Sequence, residues 1–327
     1  MKAGVVFEVG KPPVYSEFKE PIPGDGEVCV TVTASALTHF TKVRASGKHY
    51  SFPAQAPFVV GIDGVGRLDD GRRVYFLYPR SPFGGMAQKT VVRSSQCIPI
   101  PDGIDDVTLA AIADPGMSAW VALEVRAKLA QGETVLVNGA TGSAGGMAVQ
   151  IAKHLGARKV IATGRNQEAL NALLALGADV VLPLVNDSDA LEAAFKEQFS
   201  QGIDIVLDYL WGPSAERLLA AIAQGGKGTV PLRFIQIGTA SGPTITLPGT
   251  WLRSSATQIM GSGIGSVALE DITSVMSKLI EAASTAGFQI ATKATPLYRI
   301  GEVWSMESVT PRIVFTMSSL EMPAGNG

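Results

Sequence analysis

Residues 133–146 read ETVLVNGATGSAGG, a short apolar run that meets three glycines spaced by two, Gly139, Gly142 and Gly145. Thr134 to Val137 has the composition of a buried strand. After Gly145 the residues Met147, Ile151 and Leu155 recur at helical spacing, with Ala144, Ala148 and Ala152 beside them. The glycines therefore fall between a strand and a helix. Lacking Cβ atoms, they permit a sharp turn, let the backbone approach a phosphate and let the helix pack closely on its strand. The unpaired N–H groups at the helix start favour negative charge. The stretch reads as a site for a pyrophosphate.

The choice of dinucleotide is read about 20 residues further on, where the group facing the adenosine ribose falls. The next strand, 159–163, runs into Gly164-Arg165-Asn166, and no carboxylate appears there. A carboxylate would accept from the ribose 2′-hydroxyl and repel a 2′-phosphate, whereas an arginine pairs with that phosphate through a charge-assisted fork. Arg165 thus indicates NADP(H) over NAD(H). The competing reading is a solvated arginine near a helix start.

From this centre the alternation extends both ways. Helix 119–130 precedes the strand 134–138. Helix 143–155, strand 159–163, helix 167–176, strand 179–182, helix 188–199, strand 203–208, helix 214–223 and strands 233–237 and 257–260 follow. Strands and helices of these lengths imply an α/β fold, a doubly wound parallel sheet covered on both faces. Residues 1–117 differ: PIPGDGE at 21–27 and PFVVGIDGVGRLDDGRRVYF at 57–76 are strand-like and punctuated by turns. The last stretch, 265–327, holds one amphipathic helix, 269–283, and a strand-like run at 312–315.

Composition narrows the function classes. The 327 residues suffice for about two domains, and 46% apolar residues supply their cores. A formal net charge of −2 provides no electrostatic footprint for nucleic acid or an anionic membrane. The two cysteines, Cys29 and Cys97, form neither a C-x-x-C pair nor a cluster with histidine, so no disulfide framework or structural zinc site is expected. Cys29, within VCVTV, reads as a packed thiol. With no basic and apolar leader and no apolar run near 18 residues, a soluble cytoplasmic protein is expected.

The ordered series KAGVVFEVGKP (2–12), ASALTHFTKVRASGKHY (34–50), GIDGVGRLDDGRRVYF (61–76), GGMAQKTVV (84–92), AAIADPGMSAWVAL (110–123), the glycine loop with MAVQIAKHLGA, ALGAD (175–179) and GIDIVLDYLWG (202–212) covers nearly the whole chain. It resembles the medium-chain dehydrogenase/reductase superfamily, in its zinc-independent quinone oxidoreductase branch. The resemblance implies a GroES-like, mainly β catalytic domain from 1–117 and 265–327, a Rossmann NADP-binding domain at 118–264, and an active site between them. It also implies an NADPH-dependent reductase.

Departures from the zinc-dependent relatives are as informative. Their cysteine ligand falls at Thr38, their His-Glu pair at Ile62-Asp63 and their third ligand at Asp114-Pro115. Isoleucine has no ligating atom, and threonine and proline are not zinc ligands. No catalytic metal is expected. Without a Lewis acid, chemistry favours acceptors that spread the incoming charge, a quinone or an alkene conjugated to a carbonyl.

The catalytic candidates are Thr38, Tyr50 and Asp63. Thr38 either donates to the acceptor oxygen or the nicotinamide ribose, or is a strand-end threonine satisfied by backbone. Tyr50 either polarises an acceptor or is an ordinary half-buried aromatic. Asp63 is expected to orient Thr38 or a water, and His39 and His49 read as structural donors. By resemblance, Ser143 and Ala144 present N–H groups to the pyrophosphate beside Gly142 and Gly145. Thr163, Arg165 and Asn166 hold the 2′-phosphate end, and Gly238 and Thr239 border the nicotinamide half. MGSGIGS at 260–266 either closes over the nicotinamide or is a turn, and Arg312 either reaches the cofactor or cleft, as the resemblance implies, or is a surface arginine.

Two further functions stay open, an enoyl-thioester reductase and an NADPH-binding sensor or structural protein with little turnover. The edge strand near 257–260 implies a homodimer.

Overall fold

The alternation of Val30, Val32 and Ala34 with Thr31 and Thr33 buries one side of the segment Glu27–Ala36, which becomes the longest strand of the molecule's β-rich part. The computed structural model describes residues 1–47, 55–184, 188–225, 228–306 and 311–317. Two compact units divide the chain, the first from 1–114 and 276–327, the second from 115–275.

The first unit begins with β1 (Lys2–Val6), β2 (Val14–Glu17), β3 (Glu27–Ala36), α1 (His39–Ala45), β4 (Phe58–Val59), β5 (Asp63–Arg67), β6 (Arg73–Leu77), β7 (Lys89–Arg93) and β8 (Cys97–Pro99). Helix α2 (Asp106–Trp120) leads into the second unit, which holds β9 (Thr134–Asn138), α3 (Ser143–His154), β10 (Lys159–Gly164), α4 (Gln167–Ala175), β11 (Val180–Pro183), α5 (Ser188–Gln201), β12 (Ile205–Asp208), α6 (Gly212–Gly225), β13 (Leu232–Gln236), α7 (Gly249–Arg253) and β14 (Thr257–Gly261). Helix α8 (Leu269–Ala283) returns the chain to the first unit, followed by β15 (Thr292–Pro296), α9 (Ile300–Trp304) and β16 (Arg312–Thr316).

In the first unit, β2-β1-β4 form a small antiparallel sheet, and a larger one runs β15-β16-β3-β5-β6-β8, with β7 also paired to β3. All its pairs are antiparallel except β15 with β16. Phe58, Met86, Ile300, Ile313 and Phe315 fill one of its cores, and Val30, Val74, Phe76 and Val92 another.

The second unit is a six-stranded, wholly parallel sheet in the order β11-β10-β9-β12-β13-β14. This is the doubly wound Rossmann arrangement, whose order reverses between β9 and β12 and whose ligands bind beyond the strand C-termini at that point. Its central strands are apolar, as burial on both faces requires, with Val135, Leu136 and Val137 of β9 and Ile205, Val206 and Leu207 of β12 fully buried. Phe195, Phe199, Leu218 and Phe234 form the adjoining core.

One expected element differs. The helix read at 119–130 begins instead at Asp106 and gives way to a wider turn over Val121–Arg126, where Ala127 N–H reaches the Ala122 carbonyl. The Asp105 carboxylate accepts the Thr108 N–H and starts the helix. Burial of Leu109, Ala111, Ile112 and Ala113 carries it through Pro115, a residue with no N–H to give a helix interior.

Candidate functional site

Strands β9 and β12 are neighbours, with Asn138 in register opposite Asp208 at their C-terminal ends. Both side chains are fully buried. Asn138 Nδ2 donates to Asp208 Oδ1 at 2.8 Å, and Thr163 Oγ1, at the end of β10, donates to Asn138 Oδ1 at 2.7 Å. The Thr163 hydroxyl in turn accepts the Gly139 N–H at 3.1 Å, while the Thr163 carbonyl accepts Ala140 N–H at 2.7 Å. Ser214 Oγ closes the group, 3.0 Å from Asn138 Nδ2. The Asp208 carboxylate also accepts the Leu210 and Trp211 N–H groups. Burial raises its pKa, opposed by these donors.

The glycine turn rests on this network. Gly139 has φ +89, which favours glycine, and Leu210 lies where its Cβ would be. At Gly145 a Cβ would overlap the Gly139 carbonyl, so Gly145 serves the close approach of α3 to the turn. Gly142 caps α3 and is exposed, and a Cβ there would meet nothing nearer than the Gly139 oxygen at 4.0 Å. No side chain caps α3, so its first N–H groups, those of Ser143 and Ala144, open on accessible space. Arg165, one residue beyond β10, is exposed and makes no ion pair among the described residues. An open helix start with a nearby unpaired guanidinium fits the pyrophosphate and 2′-phosphate of NADP(H).

Two expected contacts have side chains engaged elsewhere, and a third lies close against backbone. Thr163 is fully buried with its hydroxyl committed to Asn138 and Gly139, so it shapes the turn and does not face a phosphate. The Asn166 side chain accepts the Ala169 N–H at 2.9 Å and caps α4. Gly238 donates to the Asp208 carbonyl at 3.1 Å, and a Cβ there would meet the Tyr209 carbonyl at 2.6 Å. Thr239, next along, is exposed. In the 260–266 stretch, Ser266 N–H bonds the Gly263 carbonyl, and Arg126 holds the Gly261 carbonyl at 2.8 Å.

In the first unit, Asp63 and Asp114 interact in the interior, and Thr38 and Ile62 are buried as well. Thr38 caps α1, its hydroxyl accepting the Thr41 N–H at 2.9 Å and lying 3.0 Å from Thr41 Oγ1. Asp63 accepts from Tyr75 Oη at 2.5 Å, so its side-chain partner is Tyr75 where Thr38 was expected. Burial, reinforced by the charge of Asp114, pushes Asp63 up to about 7 against the pull of Tyr75 and Arg312. Burial also raises Asp114, although Arg312 Nη2 pairs with it at 3.2 Å, and it raises Tyr75 well above the phenol range. Asp114 thus holds the guanidinium, and Asp63 feels its charge without a direct bond. Arg312 is no surface residue: it is 9% exposed, and its Nε is buried without a partner among the described residues.

His39 is exposed at the start of α1, and Tyr50 and His49 lie outside the described residues. Burial raises both thiols, Cys97 to about 11. Among the described residues no group of three or more His, Cys, Asp or Glu could hold a metal, and no helix is long and apolar enough to cross a membrane.

Sequence reading missed Asn138, Asp208, Tyr75 and the burial of Arg312. The first two had a usable signal, a lone polar residue closing an apolar strand in TVLVN and IVLD. Tyr75 lies inside an apolar strand, where nothing marks it, and Arg312 opens one, where its sequence does not tell which way the side chain turns.

Comparison with known proteins agrees with this architecture. Residues 144–282 match the family model of zinc-binding dehydrogenases. The quinone oxidoreductase of Sus scrofa is 30% identical over 89% of this chain and 87% of its own. A probable NADPH-dependent quinone reductase of Emericella nidulans is 29% identical over 90% and 93%. The quinone oxidoreductase of Thermus thermophilus, solved alone and with NADPH, superposes with a TM-score of 0.79 at 26% identity, covering 97% of this chain and 100% of that one. The chain belongs to the quinone oxidoreductase branch of the medium-chain dehydrogenase/reductase superfamily.

Proposed function

We propose that the chain is an NADPH-dependent reductase, working without zinc, that delivers hydride to a quinone or to an alkene conjugated to a carbonyl. The observation that carries this reading is the open start of α3 after Gly142 with the unpaired Arg165 at the end of the next strand. Relatives named as quinone reductases support it. The Ser143 and Ala144 N–H groups hold the pyrophosphate, Arg165 pairs with the 2′-phosphate, and Gly238 and Thr239 border the nicotinamide half. Bound NADPH supplies the hydride.

The zinc-free reading rests on side-chain chemistry: Thr38 has its hydroxyl engaged at a helix cap, Ile62 has no donor atom, and Asp114 is paired with Arg312. A localised alkoxide would then lack a Lewis acid, whereas a delocalised oxyanion needs one or two hydrogen-bond donors and a proton. Thr38, Tyr50 and Asp63 are the groups we assign to that end of the reaction, with Asp63 able to hold a proton near neutral pH. Strand β14 pairs with β13 alone among the described residues, and Leu252 nearby is 42% exposed, so we read this edge as the contact of a homodimer. We place its activity in the cytoplasm.

The test is NADPH oxidation by purified protein against quinones, enones, enoyl thioesters and aldehydes. Turnover with quinones or enones is expected. Turnover confined to enoyl thioesters or aldehydes, or none with tight NADPH binding, would replace this reading.

A further inference from the structure

We propose that Asp208 is a positioning residue for the glycine turn, acting through Asn138 and Thr163 on the Gly139 N–H and thereby setting nucleotide affinity. The proposal rests on the nucleotide reading of that turn.

Hydrogen-bond polarity runs one way through these residues. Among the described residues, every hydrogen-bond partner of the Asp208 carboxyl is an N–H group: Asn138 Nδ2, Leu210 N and Trp211 N. A group that only accepts leaves the Asn138 amide one orientation, Nδ2 toward Asp208 and Oδ1 toward Thr163. With Oδ1 facing it, the Thr163 hydroxyl must donate its one hydrogen at 2.7 Å. Its lone pair is then turned to the Gly139 N–H at 3.1 Å. The polarity fixed at β12 therefore passes through the ends of β9 and β10 to the first glycine of the turn.

Two features show that the chain of bonds is built into the turn. Asn138, Thr163 and Asp208 are all fully buried, so water is no substitute for a missing member. Asp208 also acts sterically: by holding the Leu210 and Trp211 N–H groups it sets the bend in which Trp211 has φ +56 and Leu210 covers Gly139. If Gly139 were free to rotate, Gly142 and the start of α3 would lose their fixed distance from Arg165. Preorganisation of this kind is paid for on folding and not on binding.

The test uses the full-length protein, [15N]glycine labelling to follow Gly139 amide exchange without nucleotide, and NADPH affinity by fluorescence titration. Thr163→Val removes the hydroxyl at near-constant shape and is expected to speed Gly139 exchange and weaken NADPH binding at least tenfold each, roughly the effect of leaving a buried donor unmet. Thr163→Ser, which keeps the hydroxyl, should restore both to within about threefold. Asp208→Asn, which can donate as well as accept, should speed Gly139 exchange although it never touches that amide. Normal exchange at Gly139 in Thr163→Val or in Asp208→Asn, with the thermal midpoint unchanged, would overturn the proposal. Wild-type protein that fails to bind NADPH would count against the nucleotide reading alone, and the exchange measurements would still decide the relay.

Discussion

Tyr75 donates to Asp63 across 2.5 Å in the interior of the first unit, on adjacent strands and with both residues at most 2% exposed. The phenol is raised by burial and keeps its proton, and Asp63 is pushed up to about 7 by burial and the charge of Asp114. Asp114, whose charge acts on Asp63, is itself paired with Arg312 at 3.2 Å.

That cluster makes stability depend on pH. The folded-state pKa of Asp63 lies above its unfolded value of 3.8, so its contribution is full below that value and lost as pH rises through about 7. Asp63→Asn, a neutral isostere, should gain on wild type as pH rises from about 5 to 7 and level off above, by at most about 4 kcal/mol. Urea unfolding across that range checks it. Parallel curves for the two proteins would show that Asp63 is ionised in the fold throughout.

Cofactor choice is assigned to Arg165. Arg165→Ala should weaken NADPH binding by about 1.5–3 kcal/mol, the worth of a hydrogen bond to a charged group, and leave NADH binding nearly unchanged. Titration of both nucleotides checks this. Equal weakening, or a wild-type preference for NADH, would remove the 2′-phosphate assignment.

The glycine spacing and the alternating apolar runs made the Rossmann unit legible, because parallel strands buried on both faces read as short apolar blocks and Gly177, at φ +107, marks the end of α4. The division of the chain left no such mark. Both boundaries fall inside helices, α2 at 114/115 and α8 at 275/276, so no linker composition betrays them. At the site, sequence identified the turn but assigned Thr163 and Asn166 by position. Which way a side chain faces is decided by partners 25 residues away, as for Thr163 and Asn138, and no periodicity encodes that.

Metal content follows from the ligand positions. Purified protein should carry well below one zinc per chain, and EDTA should leave its turnover unchanged. Stoichiometric zinc by elemental analysis, lost together with activity on chelation, would contradict the assignment of Thr38, Ile62 and Asp114 as non-ligands.

Assembly is tested by mass. Light scattering should return about twice 34.2 kDa, and Thr257→Pro on β14, which removes a backbone N–H that points away from β13, should shift it toward the monomer. A monomer mass over a wide concentration range would rule out the edge-strand dimer.

Hydride transfer in this protein is held to rely on charge delocalised in the acceptor, without a Lewis acid. The direct measurement compares kcat/KM for an α,β-unsaturated ketone with that for its saturated counterpart at the same NADPH concentration. Because one missing strong contact to a developing oxyanion costs roughly 10²–10³ in rate, the unsaturated ketone should be favoured by at least that factor. Equal or faster reduction of the saturated ketone would contradict the account and show that the site contains a polarising group of alcohol dehydrogenase type.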